Sequence, residues 1–365
     1  MKTALIIVFI FIIISLVVVG LPLLTLYLPG SVSSGFSFFP QGPAGIFKSS
    51  DGGVSWGARG ELVDGGSLDN AEVLDLVIHP RGSSVLYVAT RNKGMYKSTT
   101  YGESWARFGD KNPEFDRATV YRILIDPTNP DRMYAAVFHD RYGYVYKTED
   151  GGATFRSTYI TAQENQSVTN LELDPKNPRF LYLATSQGGI LKSSDEGESW
   201  RALEWFREPV RLVRISNDNP PALYVATSNG LFRSSDRGAT FNDLSSMLRS
   251  VSFNATNISA IQFDRLNSQV LYLGTRHGLL KSTDRGATYT ELPVIVEPDA
   301  MPIQSIEVRP QSSNVLYIGS GPQIFRSEDG GKNWKVAKLE SKRVIKVIKI
   351  DYNDPKNIYL GIGNK

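Results

Sequence analysis

The 365-residue chain has no cysteine and only three histidines. Disulfides, thiolate chemistry and cysteine-bound zinc are therefore excluded, and a histidine-rich metal centre lacks ligands. The expected metal and cofactor are both none. Net charge is also small: 40 Lys and Arg against 37 Asp and Glu leave +3. That balance supplies no global field for nucleic acid, which is not expected as a partner. Zincin and P-loop spacings do not occur. What is plentiful is glycine (32) and proline (19), alongside 41% hydrophobic residues. This is the composition of a turn-rich β-protein.

Charge is locally absent as well. Between Lys2 and Lys48 the chain carries none, and Ala4 to Leu28 is apolar enough to span a bilayer. Residues 1–30 read as an N-terminal transmembrane helix, with a cleaved signal peptide ending near Gly20 as the alternative. Because Lys2 precedes the apolar run, either reading places the rest of the chain outside the cytoplasm. Residues 31–43 are uncharged and rich in Gly, Ser and Pro, as a linker is.

From residue 44 onward one pattern recurs, S-x-D-x-G-x-[ST]-aromatic. It occurs as SSDGGVSW (49–56), STTYGESW (98–105), TEDGGATF (148–155), SSDEGESW (193–200), SSDRGATF (234–241), STDRGATY (282–289) and SEDGGKNW (327–334). The mean interval of about 46 residues is that of a four-stranded propeller blade. A second signature alternates with it: an apolar strand, a Pro/Asn/Asp turn, then a strand carrying Tyr87, Tyr134, Tyr182, Tyr224, Tyr272, Tyr317 or Tyr359. A third short strand leads into each Asp-bearing turn, and the aromatic opens a fourth. The first Asp-bearing turn precedes the first Tyr strand, and the last Tyr strand follows the last such turn. Residues 344–362 and 45–56 are therefore expected to complete one blade together. The predicted fold is all-β: a seven-bladed β-propeller over 44–365, closed by N- and C-terminal strands in one blade.

These turns resemble the Asp-box, or bacterial neuraminidase repeat, and the resemblance covers nearly all of 44–365. A single propeller of this kind behind one export segment looks most like the photosystem II assembly and stability factors. Sortilin-type, xyloglucanase and sialidase propellers are more distantly similar. The resemblance implies a non-catalytic, membrane-anchored scaffold or assembly factor for a membrane protein complex. The alternative is a carbohydrate-active propeller that binds or cleaves a polysaccharide. The [FY]-R-I-P element typical of sialidases is missing, and xyloglucanases form their cleft between two propellers. Asp51, Asp150, Asp195, Asp236, Asp284 and Asp329 read as turn residues accepting backbone N–H groups rather than as acids or bases. Trp56, Trp105, Trp200 and Trp334 share the closing position, which suits packing between blades.

The remaining candidates lie in loops. Those joining strands two and three carry Arg91, Lys93, His139, Arg141, Arg276 and His277, with Asp140 the only acid among them. A strand-four connection adds Trp205 and Arg207. Arg122, Arg211, Arg214, Lys346 and Lys349 on first strands are placed along the channel, offset by Glu172 and Glu307. Ordinary solvated charge is one reading of this set. The other is a basic, partly aromatic face that docks an acidic segment of a membrane protein partner, since Arg and Trp are favoured interface anchors.

Overall fold

Alternating apolar positions punctuated by Pro, Asn and Gly turns fold as seven four-stranded antiparallel sheets. The computed structural model describes residues 45–109, 111–295 and 301–364. The expected anchor (1–30) and linker (31–43) lie outside them. Among the described residues no helix is long and apolar enough to cross a membrane.

The innermost strands of blades 1 to 7 are Val73–Ile78, Thr119–Ile125, Val168–Leu173, Val210–Ile215, Ile258–Phe263, Ile303–Val308 and Val344–Ile350. Each touches the inner strands of both neighbouring blades, which closes the ring. In blade 7, Ile358–Gly363 pairs with Ile46–Ser49, and Ile46–Ser49 pairs with Gly57–Ala58. The expected union of the two ends of the propeller in one blade is thus present. It leaves no unpaired edge between the first and last repeats.

Burial follows the repeat. The second strands, such as Leu86–Thr90 and Leu181–Thr185, are buried along their whole length, except that Met133–His139 ends in the half-buried Phe138 and His139. The core is divided into seven apolar clusters, each shared by two adjacent blades. Trp105, fully buried, fills the gap between blades 7 and 1 beside Ile46 and Tyr359. Its indole N–H donates to the Arg59 carbonyl at 2.8 Å.

The Asp-box turns bond internally. In the first, Asp51 accepts from the Ser55 N–H at 2.9 Å, the Ser55 hydroxyl at 2.6 Å and the Ser49 hydroxyl at 2.7 Å. Hydrogen bonds led by that of the Ser55 hydroxyl hold its carboxyl well below the usual range. In Asp329 the Asn333 N–H and side chain bring the value down to about 2. Thr100 stands in for Asp and still accepts from the Ser104 N–H at 3.0 Å. The second-strand tyrosines then fasten one blade to the next. Tyr134, Tyr224 and Tyr317 each donate at 2.8 Å to the carbonyl of Glu196, Arg285 or Gly52 in the following blade's Asp-box turn. The turn glycine makes this approach possible. Gly197 sits at φ +83°, and a Cβ there would lie 2.9 Å from Tyr134 Cε1.

Candidate functional site: the central channel and the loop face

Every inner strand slips register once against its neighbour, between residues 73 and 75, 120 and 122, 168 and 170, 210 and 212, 258 and 260, 303 and 305, and 345 and 347. Such a β-bulge leaves one residue unpaired and re-aims its side chain. The seven unpaired residues are Leu74, Tyr121, Thr169, Arg211, Ser259, Gln304 and Lys346. All seven line a central cavity of about 560 Å³. The residue after the bulge adds Asp75, Arg122 and Asn170 to the same wall in blades 1 to 3, and the residue three beyond the bulged one adds Glu172, Arg214, Glu307 and Lys349 in blades 3, 4, 6 and 7.

The channel is electrostatically divided. Through blades 1 to 4 runs a continuous girdle of ion pairs, Asp75–Arg122–Glu172–Arg214. Arg122 Nη1 donates to Asp75 Oδ1 at 3.2 Å and its Nη2 to Glu172 Oε1 at 2.8 Å. Arg214 Nη1 donates to the same Glu172 oxygen at 2.7 Å and to Asn170 Oδ1 at 3.2 Å. Asp75 Oδ2 also accepts the Ile123 N–H at 3.0 Å. Burial works against the Arg122 charge, but Asp75 and Glu172 outweigh it and raise its pKa. Blades 5 to 7 supply Arg265, Lys346 and Lys349 with one acid, Glu307. Burial pushes the Glu307 carboxyl above its usual range, against the pull of Lys349 and Arg265. Six cationic side chains thus share the cavity with three carboxylates, of which two are tied up in the girdle and one is shifted towards its neutral form.

The first-strand residues lie along the channel as expected, Arg122, Arg211, Arg214, Lys346, Lys349, Glu172 and Glu307 alike. Other expectations require correction. Arg122 belongs to no exposed face, because its guanidinium is committed inside the girdle. His139 ends the strand Met133–His139, stacks on Tyr144 with centroids 4.3 Å apart, and reaches Tyr146 Oη at 2.8 Å and Asp140 at 3.0 Å. It braces a hairpin. His277 is likewise mostly covered and lies 3.2 Å from Glu291. Of the loop arginines, Arg91 pairs with Glu72 at 2.9 Å and Arg141 with Glu164 at 2.7 Å. Lys93 is half-buried, while Trp205, Arg207 and Arg276 are exposed. Asp140 is the sole acid within the strand-two-to-three loops, yet the face is not uniformly basic. The strand-four connections bring acids beside those loops, and residues 59–72 alone carry Glu61, Asp64, Asp69 and Glu72.

Asp75, Asn170, Gln304 and Arg265 were not among the expected channel residues. The first three do have a signal. Each inner strand places two residues, not one, between consecutive buried apolar positions (Val73-Leu-Asp-Leu76, Val168-Thr-Asn-Leu171, Ile303-Gln-Ser-Ile306), and this break in period two marks the bulge. A different spacing invites over-reading: Gly53–Gly57 has the G-x-S-x-G form of a nucleophile elbow. Ser55 Oγ is bonded to Asp51 inside an Asp-box turn, with no histidine at hand, so the match is structural.

Residues 324–336 match the BNR-Asp box repeat. The fold is an Asp-box propeller. Among curated proteins, a xyloglucanase from Paenibacillus sp is 24% identical over 207 residues, which cover 46% of this chain and 20% of that protein. The chain therefore spans about a fifth of the length of that relative. Among solved structures, the GH74 xyloglucanase from Xanthomonas campestris is 18% identical with a TM-score of 0.65, over 84% of this chain and 52% of that one. YCF48 bound to D1 peptide is 12% identical with a TM-score of 0.60, over 80% of this chain and 93% of that one. At these identities the likeness of this propeller to both structures is one of fold.

Proposed function

We propose that this propeller is a non-catalytic docking module that receives an acidic segment of a partner protein at the mouth of its central channel. We further propose that residues 4–28 hold it at a membrane, with the propeller outside the cytoplasm, where the partner is a membrane protein or complex. The observation that carries the docking reading is the charge of the channel: with Arg122 and Arg214 paired to Asp75 and Glu172, the cations Arg211, Arg265, Lys346 and Lys349 share the lining with one further carboxylate, Glu307. Supporting it, YCF48 has the same fold, matches this chain over nearly its whole length and binds a peptide.

The test is titration of a fluorescent glutamate-rich peptide into the full-length protein. Lys346→Glu and Lys349→Glu should weaken binding, and raised salt should do the same, because partly exposed charges are screened over about 8 Å at physiological ionic strength. Arg179→Glu, exposed on the opposite end of the ring, is the control and should leave binding unchanged. Equal losses from both sets refute the site. Crosslinking in the native membrane identifies the natural partner and tests the location at the same time.

A second reading, polysaccharide binding or glycoside hydrolysis, draws on the xyloglucanase relatives and on the exposed Trp205. Two-carboxylate hydrolysis needs an ionised and a protonated acid facing one glycosidic bond. Glu307 suits the protonated role, but Asp75 and Glu172 are held by arginine. Reducing-sugar release from xyloglucan that disappears in Glu307→Gln would favour this second reading.

A further inference from the structure

A second cavity, of about 410 Å³, opens on the loop face between blades 3 and 4. Its size falls within the usual range of small-molecule sites. One wall is Trp205, the last residue of the strand Arg201–Trp205, which is 57% exposed. That exposure has a built support. The indole lies against Gly189, where a Cβ would come within 2.8 Å of Cζ3 and 2.9 Å of Cη2. The preceding Gly188, at φ +92°, lets the loop pass beneath the carbonyls of Phe206 and Glu208, and its own carbonyl accepts the Phe206 N–H at 2.9 Å. Any side chain at Gly189 would displace the ring. Below it, Phe206 packs on Phe232 and Phe241 with centroids 4.7 and 5.5 Å apart, which gives the pocket an aromatic floor.

The rim is polar and of mixed sign. Glu204, Glu208 and Asp243 supply three carboxylates, and Arg207 and Arg249 supply two guanidinium groups. Asn229 joins the two kinds: its Nδ2 donates to Glu208 Oε1 at 2.8 Å, and its carbonyl accepts from Arg249 Nη2 at 3.3 Å. An anionic ligand would meet the carboxylates and a cationic one the guanidiniums. A neutral ring bearing several hydroxyls meets donors and acceptors together, and its C–H face matches an open indole. We propose that this pocket binds a neutral sugar ring of an oligosaccharide, at a site separate from the central channel. The inference does not depend on the docking function; it deepens the polysaccharide-binding half of the second reading by giving it a place, and it does not involve hydrolysis.

The test uses the full-length protein titrated with cellotetraose, mannotetraose, chitotetraose and a xyloglucan heptasaccharide. Binding is followed by tryptophan emission and by calorimetry. At least one sugar should quench and blue-shift the emission. Trp205→Ala should cost about tenfold or more in affinity, and Gly189→Val, which leaves the tryptophan in the chain but removes its seat, should do the same. Trp205→Tyr should retain most of the affinity. The glutamate-rich peptide, titrated in parallel, should bind all three variants as it binds the parent. A cooperative melt and a circular dichroism spectrum matching the parent's show that the variants are folded whichever way the peptide titration falls, which keeps a failure here distinct from a failure of the docking reading. No response to any of the sugars at millimolar concentration, or binding unchanged by Trp205→Ala, overturns the proposal. So does a pocket that takes a peptide side chain through Trp205 and no sugar.

Discussion

Replacing Glu172 by Gln separates a structural girdle from a catalytic acid, because the two roles predict opposite signs. The substitution keeps the shape and removes one negative charge. In the structure a single oxygen of Glu172 serves both Arg122 and Arg214, at 2.8 and 2.7 Å. All three side chains are largely covered, with 13% exposure for Glu172, 18% for Arg122 and 23% for Arg214. Removing one partner of a buried pair costs about 3–5 kcal/mol, since the remaining charge is left uncompensated. Here Arg122 keeps Asp75 and Arg214 keeps Asn170 and the Val213 carbonyl, so the lower end, about 3 kcal/mol, applies. A propeller of about 320 residues unfolds with an entropy near 0.7 kcal/mol/K, so the melting temperature should fall by about 4 °C.

Calorimetry at neutral pH and low salt reads this directly. Glu164→Gln, which removes the partner of the exposed Arg141, is the matched control and should change stability by about 0.5 kcal/mol or less. Adding Arg214→Met to Glu172→Gln should recover part of the loss, because it removes one of the stranded cations. A melting temperature that stays level or rises in Glu172→Gln refutes the reasoning. A rise in particular is the behaviour of a carboxylate kept for activity at the expense of stability, and it would transfer support to the hydrolase reading.

Gly197→Ala places a methyl 2.9 Å from the Tyr134 ring at φ +83° and should destabilise by about 2 kcal/mol in urea unfolding; an unchanged midpoint would show that the tyrosine does not fasten blade 2 to blade 3. Glu307→Gln should stabilise at neutral pH. The folded pKa of Glu307 is raised, so the native carboxyl favours folding below its unfolded value of about 4.3 and loses that contribution as pH rises through the folded value. The gain should therefore vanish in acid, and melting curves showing a pH-independent difference would contradict this. Asp284→Asn has the opposite sign. Burial acts to raise the Asp284 pKa, but bonds from Thr288 and Ser282 outweigh it and leave it lowered, so its contribution is present above about pH 4 and disappears as pH falls through the folded value. A deficit that persists in strong acid would count against the bonding scheme.

The frame was legible in the sequence because the same physical demand recurs seven times. An Asp-box turn needs a small hydroxyl, an acceptor for the turn N–H groups (a carboxylate in six copies, the Thr100 hydroxyl in one), a glycine at positive φ and an aromatic to fill the gap between blades. Seven copies in fixed phase with seven tyrosine strands leave little freedom in strand count or ring closure. The channel was legible only in part. Arg211 and Lys346 stood out as charges on strands, whereas Asp75 and Asn170 look like interruptions of an apolar run until the bulge is recognised. The loop face was the least legible. Glu72, Glu164 and Glu291 lie 19, 23 and 14 residues from Arg91, Arg141 and His277, and a basic loop read by itself gives no sign that another connection neutralises it.

The division between frame and site follows from where the repeat relaxes its demands. Positions facing between blades must fill a fixed gap, so they are occupied by similar residues in every copy and say nothing about a ligand. The bulged position faces open space at the ring axis, where packing imposes no identity, and its seven occupants differ: Leu, Tyr, Thr, Arg, Ser, Gln and Lys. The outer end of strand four and the connection after it are equally free, which is how Trp205, the last residue of its strand, came to lie over a glycine. A functional reading of such a ring therefore rests on the residues that break the repeat. In this chain they make two separate places, a cationic axis and an aromatic pocket of mixed charge. Their different chemistry is the reason to test them with different ligands.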